Sequence, residues 1–290
     1  MLSTTLLIIA GVAPILQLPT ASWQPSRSSR GESFLAEPVV EKKRAVLLVP
    51  GLKLHPINTT LSTEPEVHDW QRTSSLLVKE LATDFDVHAF GYAQTLPLDA
   101  VSISNGMRSK VAFLRESGYR EIVLIGHSAG GVISKQFVET FPQSGVTKVI
   151  QVASPNAGSP LANIGFGLPK PQIPFIKSMT PEQRTRILAR SKTLPEKLEF
   201  AVVVCKAGRL SSDTVVSLES QWPIELQQQG VPAALALSNH YSVMKDPESV
   251  RTIVDLAKNK LVRWEEPDVQ KTRKMLFEST FGKGLGIIKK

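Results

Sequence analysis

Short runs of β-branched and aliphatic residues recur along the chain, and the stretches between them place apolar residues three and four positions apart. The runs are RAVLLVP at 44–50, DVHAFGY at 86–92, EIVLIG at 121–126, VTKVIQVAS at 146–154, EFAVVVCKA at 199–207 and AALALS at 233–238. Most are apolar nearly throughout instead of alternating, as a strand covered on both faces requires. The intervening stretches predict helices. One begins at Asp69 or Thr73 and places Leu76, Leu77 and Leu81 on one face, and a second covers about 98–116, ending before Gly118. A third starts just after Ser128 and stops before Pro142, and the last is capped by Asp246-Pro247-Glu248 and runs to about Leu261. Strands alternating with helices of this length predict an α/β protein with a mostly parallel, doubly wound sheet of about six strands.

Three segments depart from the alternation. Residues 155–195 carry seven prolines and three glycines around the apolar patches LANIGFGLP and IPFIKSM. That is too long for a plain connection, so an insertion with a function of its own is expected over about 155–196. At the other end, Thr5 to Leu18 is apolar and uncharged. It is short for a bilayer span but suits the core of a signal peptide, with Ala21 and Ser22 offering small residues for cleavage. The expectation is therefore a signal peptide over 1–22 and export, periplasmic or secreted, with an uncleaved membrane anchor as second choice. A polar linker follows over 23–43. From 263 to 290 the chain reads as a basic tail, which leaves 44–262 for the folded domain.

The tail supplies part of a formal net charge of +8. No nucleic-acid-binding motif accompanies that charge, so nucleic acid is not an expected partner, whereas association with an anionic membrane surface is compatible with it. The one cysteine, Cys205, lies inside an apolar run and reads as a buried structural thiol. With no Cys/His cluster in the sequence, neither a metal nor an organic cofactor is expected. The oligomeric state is not legible.

Chemistry enters at GHSAGG, residues 126–131. Gly126-x-Ser128-x-Gly130 is a weak pattern alone, but here it follows a predicted strand and opens a predicted helix. In that context the glycines remove Cβ clashes, so the serine can occupy a strained turn with its hydroxyl exposed above the sheet. The adjoining helix N-terminus favours developing negative charge. The arrangement resembles the nucleophile elbow of the α/β-hydrolase superfamily, and the resemblance extends over about residues 44–260. It implies a compact α/β-hydrolase fold with 155–196 as a cap or lid over an acyl pocket.

The same resemblance implies a base and an orienting acid in the chain order Ser, acid, His. His240, in LSNHYSVMKDP after the last predicted strand, is the one histidine that follows Ser128 in the chain. His127 adjoins the serine and is expected to point elsewhere. Among the carboxylates between Ser128 and His240, Asp213 is the only aspartate and follows the fifth predicted strand, with Glu219 held in reserve. Two backbone N–H groups are expected to form the oxyanion hole. These are Ala129, the residue after the nucleophile, and Leu52, in the glycine-containing loop VPGLKLHP. His55 and Lys53 of that loop either line the site or face solvent.

Within the superfamily the chain looks most like compact bacterial lipases and inositol-deacylase-like esterases. VPGL, GHSAGG and VASPNAGSPLA carry that likeness, although Pro50 and Ser154-Pro155-Asn156 depart from the usual His-Gly and Thr-Pro-His segments. The implied function is a serine hydrolase cleaving a small-molecule or lipid carboxylic ester through an acyl-enzyme. An acyltransferase or thioesterase with the same three residues, or a non-catalytic binding protein on this fold, are the alternatives.

Overall fold

The computed structural model describes residues 44–55, 65–164 and 169–278. The expected signal peptide or anchor, the linker and the last part of the tail, 279–290, lie outside these residues. Strands form where the apolar runs are: β1 (Arg44–Val49), β2 (Asp86–Ala89), β3 (Glu121–His127), β4 (Lys148–Val152), β5 (Glu199–Cys205) and β6 (Ala233–Ala236). They make one sheet in the order β2-β1-β3-β4-β5-β6, and every pairing is parallel.

Parallel neighbours need a crossover, and the helices supply it. They are α1 (Leu76–Leu81), α2 (Leu98–Ser102), α3 (Asn105–Glu116), α4 (Ala129–Thr140), α5 (Ile173–Lys177) and α6 (Pro181–Leu188), followed by α7 (Leu218–Gln221), α8 (Ile224–Gln227), α9 (Pro247–Lys258) and α10 (Glu266–Arg273). On one face, Leu77 and Leu81 of α1 and Ile253 of α9 pack on Val46, Leu48 and Ile125. On the other, Val111 of α3, Ile133 of α4 and Leu218 of α7 pack on Leu47 and Leu124. The sheet is thus doubly wound. From β1 the chain passes outward to β2 and then back across to β3. The loops leaving β1 and β3 therefore flank a crevice at the carboxyl edge of the sheet, where sites of such sheets form.

Several details differ from the sequence reading. Leu76 is exposed and Val78 takes its place on the buried face of α1. The single helix expected over 98–116 is divided. Ile103 ends α2, and Ser104 caps α3 by accepting from Met107 N–H.

The largest correction concerns the C-terminal end, read from 263 as a basic tail. Trp264 N–H instead donates to Gly230 O at 2.7 Å, α10 follows, and the chain passes into one π-helical segment at Lys274–Glu278. Val269 and Leu276 are buried in the same core as Trp222 and Leu226, and the Phe277 ring lies 6.3 Å from that of Trp222. The basic residues Lys271, Arg273 and Lys274 occupy the outward face. Roughly one apolar residue per turn among so many charges gives too weak a periodicity to read as a packed helix.

Replacing a buried leucine by alanine costs about 2–5 kcal/mol, whereas trimming a solvated tail costs almost nothing. Leu276→Ala should therefore lower the unfolding free energy by about 2 kcal/mol or more in urea denaturation.

Candidate active site

Ser128 stands between β3 and α4 with φ 53° and ψ −128°, a conformation that a residue with a side chain adopts only under constraint. The constraint is backbone contact. A Cβ on Gly130 would collide with the carbonyl oxygens of Val49 and Pro50, and one on Gly126 would collide with Gly131. Ser128 N–H also donates to Val152 O at 2.8 Å, which ties the turn to the end of β4.

Asp213 lies in the loop after β5 and His240 in the loop after β6. His240 Nδ1–H donates to Asp213 Oδ2 at 2.7 Å, and Ser128 Oγ–H donates to His240 Nε2 at 2.9 Å. Asp213 is fully buried, and its other oxygen accepts from Val215 and Val216 N–H at 2.9 and 2.7 Å. A carboxylate satisfied by two backbone donors leaves its second oxygen to accept only from the imidazole. That puts the proton on Nδ1 and leaves Nε2 bare toward the serine. The loops are further joined by His240 N–H donating to Asp213 O at 2.8 Å. Thr214 sits at φ 86° in the turn that presents Val215 and Val216, a second strained position at this site. The reserve carboxylate, Glu219, lies on the exposed side of α7.

The loop after β1 approaches from the opposite side. A Cβ on Gly51 would lie 2.6 Å from Ser128 Cβ, so only glycine admits this approach. Leu52 lines the same cavity as Ser128 and His240. Its N–H has no hydrogen-bond partner among the described residues. Ala129 is the first residue of α4, so its N–H has no intrahelical acceptor. Lys53 lines the cavity with its side chain half exposed. His55 instead turns to Glu66, with 2.7 Å between Nε2 and Oε2.

The cavity holds about 480 Å³ above Ser128. Its lining is mixed: Leu161, Ala162, Ile176 and Met179 of the 155–196 insertion are apolar, as are Val215 and Val216, while Lys53, His68, Asp69 and Lys245 are polar. Residues that sequence reasoning did not single out also build the site, notably His68, Trp70 and the glutamines Gln94 and Gln172. Nothing in a single sequence distinguishes a polar residue folded into a site from one on the surface.

Burial holds His68, His88 and His127 neutral. Burial drives His127 well below the usual imidazole range, and its Nε2–H donates to His240 O at 3.0 Å. His127 thus bonds to the His240 loop and braces it. Burial, aided by Lys53, lowers His68 to about 4, and burial with Lys110 nearby lowers His88 to about 4. Among the described residues no group of His, Cys, Asp or Glu side chains is disposed to hold a metal ion, and no helix is long and apolar enough to cross a membrane.

No protein-family model matches this sequence, and no curated protein matches it. Solved structures do resemble it. The mature Bacillus licheniformis lipase BlEst2 is 13% identical with a TM-score of 0.59, over 82% of this chain and 98% of that one. A metagenomic carboxyl esterase is 16% identical with a TM-score of 0.53, over 91% and 84%. Aspergillus fumigatus lipase B is 14% identical with a TM-score of 0.53, over 79% of this chain and 56% of that one. Identities this low establish architecture. The chain has the α/β-hydrolase fold, as these structures do.

The lowered histidines carry a pH dependence. An unfolded imidazole takes up a proton near pH 6.5, whereas His68 and His88 in the fold resist until about 4 and His127 resists further. Between those values the unfolded chain binds more protons, so the stabilisation is complete above pH 6.5 and declines as the pH falls toward 4. Urea midpoints should drop across that window. His88→Gln, which lies outside the cavity lining, should flatten the decline; an unchanged slope would contradict the assignment.

Proposed function

We propose that this protein hydrolyses carboxylic esters by two-step acyl transfer to water, with Ser128 as nucleophile, His240 as general base and acid, and Asp213 as the orienting acid. The observation that supports this reading is the continuous chain from Ser128 Oγ to His240 Nε2 at 2.9 Å and from His240 Nδ1 to Asp213 Oδ2 at 2.7 Å, built on a strained elbow. In the first step Ser128 Oγ bonds to the ester carbonyl carbon while its proton passes to His240 Nε2. The carbonyl oxygen becomes an oxyanion, for which the N–H groups of Leu52 and Ala129 are the proposed donors. Collapse breaks the bond to the leaving oxygen, and His240 returns the proton to the departing alcohol. Water then repeats the sequence on the acyl-enzyme and releases the acid. Each oxyanion donor contributes about 3 kcal/mol to such a barrier.

The mixed lining of the cavity suits a substrate of both characters, its apolar residues fitting an acyl chain and its polar residues an alcohol or headgroup, so small or lipid esters are the proposed substrates, with 155–196 as the cap over the acyl pocket. Export through the apolar segment at 5–18 belongs to the same proposal.

Ser128→Ala should abolish hydrolysis of p-nitrophenyl butyrate and labelling by a fluorophosphonate while leaving the urea midpoint within a small shift of wild type. A variant that keeps most of its activity would sink the assignment of Ser128. A folded wild type that neither hydrolyses the ester nor takes the label would favour a binding protein on this fold.

A further inference from the structure

Resting on the hydrolase reading above, we infer that Gln94 is a positioning residue that sets the oxyanion hole by fixing the plane of the Gly51–Leu52 peptide. Gln94 follows β2 and is almost fully buried. Its Nε2–H donates to Gly51 O at 2.8 Å, and its Oε1 accepts from Lys53 N–H at 2.8 Å. One amide therefore spans Leu52, holding the residue before it and the residue after it. Because Lys53 N–H can only donate and Gly51 O can only accept, the two bonds also fix which end of the amide is oxygen.

Gly51 C=O and Leu52 N–H are opposite edges of one planar trans peptide unit. With the carbonyl drawn to Gln94, the N–H is held on the side away from Gln94, where Leu52 shares the cavity with Ser128 and His240. The rest of the loop is fastened too. Tyr92 Oη–H donates to Pro50 O at 2.7 Å. Fully buried Gln172 donates to Lys53 O at 2.8 Å and accepts from His55 N–H at 3.2 Å. Between the bonds that Gln94 makes to Gly51 O and Lys53 N–H, the Leu52 N–H has no partner among the described residues. A loop so held presents a donor without reorganising during the reaction, which is the condition for oxyanion stabilisation. Gln94 touches no reacting atom and acts only through the peptide it holds.

Gln94→Glu is the discriminating variant. It keeps the size of the side chain and the acceptor for Lys53 N–H. When ionised it places a carboxylate oxygen against Gly51 O, which favours turning the peptide over; when protonated it can donate again. On p-nitrophenyl butyrate, kcat should fall on the order of a hundredfold relative to wild type with KM changed less than about threefold. The variant-to-wild-type ratio should recover as the pH is lowered from about 8 to about 5, because protonation restores the donor. A kcat within about threefold of wild type, a loss carried by KM, or a ratio that does not move with pH would overturn the inference. Where Gln94→Glu does not yield folded protein, Gln94→Met carries the test, because it keeps the length of the side chain and removes both of its hydrogen bonds to the loop. Its kcat should also fall on the order of a hundredfold with KM changed less than about threefold, and its ratio to wild type should stay flat between about pH 8 and about pH 5 because no titrating group is introduced; a kcat within about threefold of wild type would overturn the inference. Wild type is assayed alongside. An inactive wild type overturns the hydrolase reading and this inference together, whereas an active wild type beside an equally active Gln94→Glu overturns this inference alone.

Discussion

At the junction of β3 and α4, backbone packs on backbone with no space for a side chain. Gly130 lies against the carbonyls of Val49 and Pro50, Gly126 lies against Gly131, and Gly131 lies against Ser154 Oγ. This contact fixes α4 at the carboxyl end of β1 and β3, and Ser128 is forced to φ 53° as a consequence. A strained residue of this kind costs about 1–3 kcal/mol and persists only where its surroundings over-determine it. Here the surroundings are the sheet itself, since Ser128 N–H is bound to Val152 O and its neighbours are sealed by β1. The same closeness brings Gly51 against Ser128, so the loop after β1 and the elbow are positioned by one packing event.

The remaining groups converge because the sheet is wholly parallel. Every strand delivers its carboxyl end to the same edge, so the loops after β3, β5 and β6 reach one place although Ser128, Asp213 and His240 are far apart in sequence. The loops also hold each other directly. His240 N–H binds Asp213 O while His127, from the elbow, binds His240 O. Removing the charge-bearing groups would leave these backbone ties in place, so the site is built twice, once by main chain and once by side chain.

What the sequence reveals follows the same division. Continuous apolar runs declare buried strands, so all six strands and their alternation with helices are legible. The glycine spacing around Ser128 is legible because the turn admits no other residue. Asp213 and His240 are legible through the order that the elbow imposes, and the hydrogen bonds bring the three together. Other features depend on what a residue meets only after folding. Leu76 and Val78 are both apolar and differ only in which way α1 rests on the sheet. Val269 and Leu276 are isolated among charges, and their burial depends on a groove lined by Trp222 and Leu226 that the sequence does not display. Gln94 and Gln172 carry no periodic signal, yet they hold the loop that flanks the serine.

The 155–196 insertion is tied to this frame by polar contacts. Buried Arg184 of α6 lies 3.7 Å from Asp99 of α2. Burial lowers its guanidinium only to about 10, so it stays charged at neutral pH. Below the end of α6, Lys135 of α4 binds Glu139 and Ser191 at 2.6 Å each. Lifting the insertion would part Ser191 from Lys135 and Arg184 from Asp99, so these contacts hold it in one register against α4 and α2. Gln172, from the same insertion, grips the loop that carries Leu52. A ligand pressing on Ile176 or Met179 presses on the segment that holds that loop, so the shape of this part of the cavity and the position of the Leu52 loop are set by one connected set of contacts.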